Sequence, residues 1–539
     1  MAVQEKSVEL AGSAGSPSGV SGALLARLSI LSIGAASIPI FSCQFLSIND
    51  FLNHLARADV LLRYHDDPAF SAYFLPNWRP LPNLAFDVWI FVLGRVLPVD
   101  IAGKLFVVAT FALLLGGVIL LHRLAFERWS LWPLLTVLVL YNRLLLVGYL
   151  NFLFGVSLWL YALSLWLYFR NAATLLRTSV LGMAALVIFF AHFAAFGVLA
   201  VTIAAYELAA LASSTRPWRK KIVDLLLGVV PFLPAVILVV LSSPHTAGSS
   251  IIIYRDFLTR VAGFGAPILY NVRIEWAFCL LLLGLFAWTL FTKSIEFHRG
   301  LVAGVFALFV LQFCMPNVIL TAEGGDRRLP LPMLLLAIGA TNLRASSRSQ
   351  RVSFILAASM MFVFRVAEVQ ARWSADQAIY ADVWQGLSLL PAGARVASAF
   401  PPGSFDDFSL PGVAVFYIPV WGIIPRGGFT QTLFAYPSQH PLVLKPKYEA
   451  LAAATPPGLL WRTFAIGTDV DRSAAPNPEL VGALHDYDFI AFIGRNHFSI
   501  HNTAIFRSFY DGQYVRIFRL HGVSLKDVTP QGDRQVSRP

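Results

Sequence analysis

Long uninterrupted apolar runs recur along this chain, and they restrict its fold more than any other feature. They lie near residues 24–46, 101–121, 131–147, 150–169, 177–193, 195–212, 222–242, 275–292, 300–316, 330–343 and 352–368. Each approaches the roughly 20 residues that a helix needs to cross the ~30 Å hydrocarbon core of a bilayer. In that solvent every backbone N–H and C=O must bond within its own segment, so each run is expected as a helix. Composition agrees: of 539 residues, 57% are hydrophobic and 13% charged, about half the charge of an ordinary soluble domain. The expected fold class is an α-helical polytopic membrane protein with about eleven transmembrane helices.

Charge then orients the chain. The net charge of +11 invites a nucleic-acid reading, but the distribution argues against it. Thirteen Lys and Arg residues fall in five short loops between apolar runs, against two acids, Glu127 and Glu296. These are Arg123 and Arg128; Arg170 and Arg177; Arg216, Arg219, Lys220 and Lys221; Lys293 and Arg299; and Arg344, Arg348 and Arg351. Short loops dense in Lys and Arg stay cytoplasmic. With the N-terminus inside, eleven crossings put all five there and everything after about residue 369 outside. The segment 83–97 decides this count. As a helix it is about 22 Å long, too short to span, and it carries Asp87 and Arg95. It is expected as an interfacial helix in an outer loop of residues 47–100.

The domain layout follows. Residues 1–23 are expected as a disordered cytoplasmic tail, and the run 24–46 as a retained helix. Residues 24–369 form the membrane domain. Its first outer loop is expected to hold two surface helices, with Asp67-Pro68 as a helix start. Residues 370–523 lose the long apolar runs and are expected as a small mixed α/β extracytoplasmic domain. Its candidate strands are Arg395–Phe400, Ala414–Val420, Tyr487–Ile493 and Tyr514–Leu520, with a turn at Asp511-Gly512 and a helix near Pro478–His485. Residues 524–539 are expected as a disordered tail. Cys43, Cys279 and Cys314 lie in or beside apolar segments, with no disulfide framework or metal spacing, and are expected to pack as buried apolar groups.

Polar chemistry concentrates just after the first crossing. In a helix, Asp50, His54 and Arg57 stand at i, i+4 and i+7 and share one face, with Asn53 beside them. The bland reading makes Asn49 or Asp50 a cap, His54 a histidine with a backbone partner, and Arg57 a snorkelling cation. The topology places further polar residues on the same outer side: Arg143, His192, His245, Glu323, Asp326, Arg327 and Arg328. Two adjacent guanidiniums suit a phosphate, or an ion pair with Asp326 or Glu323. His192 also reads as a satisfied intramembrane histidine, Glu207 as structural, and Asp59, Asp66 and Asp67 as a solvated face and a cap.

These features resemble the GT-C superfamily of membrane glycosyltransferases, which use polyprenyl-phosphate-linked sugars. The similar features are the acid in the first outer loop (Asp50), two surface helices in that loop and about eleven crossings. A late arginine-bearing outer loop (Arg327, Arg328) and an outer C-terminal domain complete the likeness. The stretch Asp50, Asn53, His54, Arg57 is also similar to an Asp-x-x-Asn-His-x-x-Arg pattern of an uncharacterised bacterial subgroup. The likeness covers the membrane part well and the C-terminal domain loosely.

The resemblance implies a polyprenyl-phosphate-sugar donor, a glycan, lipid or protein acceptor, surrounding membrane lipids, and no nucleic acid. It places the chain in a bacterial inner membrane with the C-terminal domain periplasmic. Asp50 would act as general base on the acceptor hydroxyl, and His54 would orient it or bind the acceptor. Arg57, Arg327 and Arg328 would balance charge on the leaving phosphate. Asn53, Arg143, His192 and Asp326 complete the candidate substrate-binding set. The superfamily's paired acids are missing, because Asn49 precedes Asp50. A divalent metal, Mg or Mn, is left open. A transporter or flippase is the main alternative, but no repeat symmetry or paired broken helices are visible. A polysaccharide polymerase or ligase, or a non-catalytic assembly protein, is a third reading.

Overall fold

The computed structural model describes residues 20–242, 252–268, 272–319, 322–344, 348–401, 413–466, 478–494, 498–500 and 506–520. The expected tails and His245 lie largely or wholly outside this set. Helix α1 (Gly22–Ser42) opens at Ser21, whose hydroxyl accepts the Leu24 N–H. Three short helices follow before the next long one: α2 (Phe51–Arg63), α3 (Phe70–Tyr73) and α4 (Ala85–Leu93). The bundle continues with α5 (Val99–Phe126), α6 (Arg143–Val147), α7 (Leu150–Phe169), α8 (Thr174–Ala191) and α9 (Phe193–Ala212). Then come α10 (Trp218–Val229), α11 (Leu233–Ser242), α12 (Phe257–Ala262), α13 (Val272–Phe291), α14 (Arg299–Cys314) and α15 (Pro330–Ala340). Among the described residues, seven helices are long and apolar enough to cross a membrane, with shorter apolar helices at Trp132–Val147, Arg299–Cys314 and Ala414–Arg426.

The run near 131–147 departs from a single helix. Trp132–Val139 is a 3₁₀ helix, and a break at Asn142 precedes α6. Asn142 makes the break affordable by bonding on both sides. Its oxygen accepts the Leu145 N–H, and its amide donates to the Val139 and Leu140 carbonyls. The segment still runs from one end of the bundle to the other. Trp132 Nε1 donates to Thr341 at one end, and the Leu146 carbonyl accepts the Asn49 N–H at the other. A 3₁₀ rise of about 2.0 Å per residue covers more distance than an α-helix of equal length.

The basic loops gather at the Thr341 end. Arg128 and Arg344 both pair with Glu296, and strand Ile295–Phe297 lies antiparallel to Thr341–Leu343. Arg170 reaches Glu207 at 3.7 Å and the Tyr206 hydroxyl at 3.2 Å, and Tyr206 stacks on His298. Glu207 is therefore structural, as expected. Cys43 is buried, whereas Cys314 is exposed on the bundle surface, against expectation.

The expected boundary near residue 369 does not exist as a break. Helix α16 (Arg348–Ser388) runs 41 residues, roughly 60 Å at 1.5 Å per residue, from the bundle into the C-terminal strand-containing region. The stretch 370–385 holds no Gly or Pro to stop it. Beyond it lies a four-stranded sheet in the order Phe506–Asp511, Val515–Leu520, Phe489–Ile493, Val396–Ala399. Its last pair is parallel and the others antiparallel. Three expected strands and the helix near 478–485 appear. The fourth, 414–420, is instead a 3₁₀ turn (Val413–Tyr417) followed by α17 (Ile418–Ile423). Its unbroken apolar run carries no period to choose between strand and helix, and Pro419 suits a first helical turn better than a ladder.

The C-terminal region clasps the loop 47–100. Strand Phe74–Pro76 pairs with Leu442–Leu444, and Asn77 donates to the Pro437 and His440 carbonyls. Helix α2, expected on the surface, is consequently buried at every position from Phe51 to Leu61. Helix α4 has one buried and one exposed face: Phe86, Asp87 and Ile90 face inward, while Val88 and Val92 are exposed. At Asp67-Pro68 the Asp67 carboxylate does accept a backbone N–H, from Ala69, one turn ahead of α3.

Candidate functional site

Asp50 stands at the N-cap of α2, yet its carboxyl makes no capping hydrogen bond. The residue is half-buried at the bundle end opposite the basic loops. Apolar surroundings push its pKa up to about 8, and the charge of Arg57 acts in the opposite direction. Burial that disfavours the charged form is the dominant cause. The resulting carboxyl exchanges its proton near neutrality, a property a general base requires.

Gly148 forms the floor beneath it. The residue ends α6 with φ +101°, and a Cβ built there would lie 2.6 Å from the Asp50 Cβ and 2.7 Å from its nitrogen. Only glycine meets both demands.

His54 and Arg57 face each other rather than Asp50. Arg57 Nη2 donates to His54 Nδ1 at 3.0 Å, and the His54 ring also hydrogen-bonds the Gly148 backbone. Guanidinium nitrogens only donate, so Nδ1 accepts and the ring proton sits on Nε2. Burial, then the Arg57 charge, lowers the imidazole pKa well below its ordinary value and keeps it neutral. The expected role of His54 in orienting the carboxylate is thus not what the bonds display. It positions Arg57 against the Gly148 turn.

Arg57 makes a two-pronged salt bridge with Asp87 of α4, both contacts 2.9 Å and both side chains 0% exposed. Planar fork-to-carboxylate bonding of this kind is geometrically demanding. It fixes α4 against α2 and compensates the charge expected to serve a departing phosphate. The sequence reading used Asp87 only to argue against a crossing. The missed signal was an acid in an apolar helix with no charge beside it, which calls for a buried partner. Asn151 was also missed. Its oxygen accepts the Phe86 N–H at 2.6 Å and its amide donates to the Asn83 carbonyl, locking the start of α4 onto α7.

Asn53 binds the C-terminal region. Its amide donates to the Thr432 carbonyl at 2.8 Å and its oxygen accepts the Phe434 N–H at 2.6 Å, so the carboxamide stands in for a strand backbone. Tyr417, at the start of α17, lies close enough to Asp50 and Tyr436 for their charges to add to the burial that raises its phenol pKa. Tyr417 and His54 both meet Phe434 edge-on, at 5.3 and 6.4 Å.

Of the later candidates, Arg328 and His192 contact the residues that follow Gly148. The Arg328 guanidinium covers Tyr149 at 4.5 Å and reaches Phe152 at 5.9 Å. Its Nε is buried with no partner among the described residues. His192 joins α8 to α9, where its Nδ1 accepts the Ala194 N–H and its ring meets Phe152 at 5.3 Å. That is the satisfied histidine of the bland reading. Asp326 is buried at the start of the Asp326–Arg328 turn, with one carboxyl oxygen unpaired among the described residues. Arg327 is half-buried beside it, and Arg143 opens α6, its N–H donating to the Ala266 carbonyl. Residues 148–152 therefore form a common wall, with Asp50 against Gly148 and the Arg328–His192 group against Tyr149 and Phe152.

Among the described residues, no group of three His, Cys, Asp or Glu is arranged to hold a metal. Beside Asp50 the nearest sequence oxygen is the Asn49 amide, and His54 is committed to Arg57. Mg or Mn favours several hard oxygens in an octahedron, which this donor set does not offer. No family model matches the sequence, and no curated protein matches it significantly.

Proposed function

We propose that this chain is an integral membrane glycosyltransferase. It moves a sugar from a polyprenyl-phosphate donor to an acceptor hydroxyl at the non-cytosolic face of a bacterial inner membrane. The observation that carries the reading is Asp50, a half-buried residue at the bundle end remote from the basic loops, whose carboxyl is raised by burial to a pKa of about 8. The positive-inside bias puts those loops in the cytoplasm and Asp50 outside.

In this mechanism the acceptor oxygen attacks the anomeric carbon while Asp50 takes its proton. The bond between that carbon and the phosphate oxygen breaks, and the polyprenyl phosphate leaves with the electron pair. Arg328, over Tyr149 in the same stretch whose Gly148 abuts Asp50, balances the developing phosphate charge. Fixed cations in a water-poor site stabilise such charge without reorganisation. Arg57 acts through its field. Its charge restrains the rise of the Asp50 pKa, so that an appreciable fraction is ionised at working pH. The lipid tail stays among the exposed apolar faces of the bundle, so the donor need not leave the membrane.

The test uses the full chain in lipid vesicles with a radiolabelled polyprenyl-phosphate hexose and membranes of a deletion strain as acceptor source. Asp50→Asn is expected to insert normally and to lose transfer by at least 10²-fold. Transfer at the wild-type rate would remove the mechanism.

A further inference from the structure

The seam between α2 and residues 432–440 carries a second kind of site. Asn53 and Arg57 lie one turn apart on one stripe of α2, and Asn49 stands just before the helix begins. The Asn53 bonds to Thr432 and Phe434 show which segment that stripe faces. Two buried polar atoms of the seam, Arg57 Nη1 and Thr432 Oγ1, have no partner among the described residues, and neither does Asn49 Oδ1 just ahead of the helix. Buried polar groups are almost always paired, so each orphan asks for an explanation. Here their polarity is mixed, because the amide oxygen accepts, the guanidinium donates and the hydroxyl does both. A phosphate offers acceptors alone, whereas a sugar offers both at every hydroxyl.

Aromatic surface lies next to them. Phe434, Tyr436 and His440 form one cluster, with ring centroids 6.1 Å apart for Phe434–Tyr436 and 5.5 Å for Tyr436–His440. Its inner member touches His54, while its outer member, Tyr436, is 54% exposed. An open aromatic face suits the C–H side of a pyranose, whose polarised hydrogens point at the ring's negative face.

We propose that this seam is a carbohydrate subsite to which the outer domain contributes Thr432 and Tyr436, so that the site around Asp50 is incomplete without that domain. The inference rests on the glycosyltransferase reading only in taking a sugar as substrate. The sugar comes either from the lipid-linked donor or from the acceptor, and separate arms distinguish the two.

Saturation-transfer NMR is run on the full chain in nanodiscs. One arm uses methyl glycosides of glucose, galactose and mannose, and the other a short-chain polyprenyl-phosphate hexose. Asp50→Asn protein is used throughout, so that binding is read without turnover and a failure of the base mechanism leaves this result intact. Transfer to ring protons is expected in at least one arm. It should fall at least tenfold in Tyr436→Ala, fall in Thr432→Val, and persist in Tyr436→Phe with an unchanged melting midpoint. Signal in the glycoside arm alone assigns the acceptor, and signal in the lipid arm alone the donor. Absence of ring-proton transfer in both arms, or transfer indifferent to Tyr436→Ala, overturns the proposal.

Discussion

A carboxyl raised to about 8 by burial makes the Asp50 reading sensitive to pH in two separate ways. If the ionised form is the base, the rate should climb about tenfold per pH unit below that value and level off above it. A pH–rate profile on the vesicle assay checks this, and a profile flat from pH 6 to 9 would exclude Asp50 as the base. Stability should move the opposite way. Between the ordinary carboxylate range near 4 and about 8, the folded protein holds a proton that the unfolded chain releases, so this residue's contribution is lost as pH rises through that window. Asp50→Asn should flatten that component of the melting-temperature profile. The stripe of Asp50, His54 and Arg57 was legible in the sequence because helical spacing is local. The partner of each was not. Arg57 finds Asp87 thirty residues on and Asn53 finds Phe434 after 381, and no periodicity encodes contacts at such separations.

Helix α2 owes its place to polar pairs with α4 and with residues 432–434, and these are where element-scale changes should tell. Asp87→Leu alone leaves Arg57 charged and buried without its partner, a change expected to cost about 3–5 kcal/mol. Arg57→Met with Asp87→Leu removes both charges and should recover most of that loss, read as melting midpoints in detergent. A double variant no more stable than Asp87→Leu would mean the ion pair is not what holds α4 to α2. One turn earlier on the helix, Asn53→Ala strands the Phe434 N–H and the Thr432 carbonyl, each worth about 1–3 kcal/mol when left unpaired. Hydrogen exchange at Phe434 should accelerate while the sheet strands stay protected. The expectation of a surface helix here failed for a physical reason. The mean hydropathy of α2 is low because its polar residues have buried partners, and amphipathicity cannot distinguish a water-facing stripe from one satisfied by another domain. The break at Asn142 and the unbroken α16 escaped for related reasons. Capping bonds made by a buried Asn, and the tertiary support that carries a helix past a membrane boundary, are not written in hydropathy.

At the scale of the whole molecule, two ends of one bundle carry different chemistry, and the proposal depends on which side of the membrane each faces. Apolar runs and basic loops were readable because bilayer thickness and charge asymmetry act on every segment independently. The clasp between outer domain and first loop was not, since it is built from one short strand pair and single side-chain bonds. Yet that clasp fixes the topology experiment. Tyr436 is held to the Asp50 end through Phe434 and Asn53, whereas Arg344 is held to the opposite end through Glu296. After Cys43, Cys279 and Cys314 are replaced by serine or alanine, single cysteines at Tyr436 and at Arg344 report the two ends. A membrane-impermeant maleimide added to intact spheroplasts should label Tyr436→Cys and spare Arg344→Cys until the membrane is permeabilised. The reverse pattern would put Asp50 in the cytosol, where a glycosyl transfer at the outer face has no base. Labelling of both without permeabilisation would mean that the clasp and the basic loops share a side, and the bundle would then lack the asymmetry on which the catalytic assignment is built.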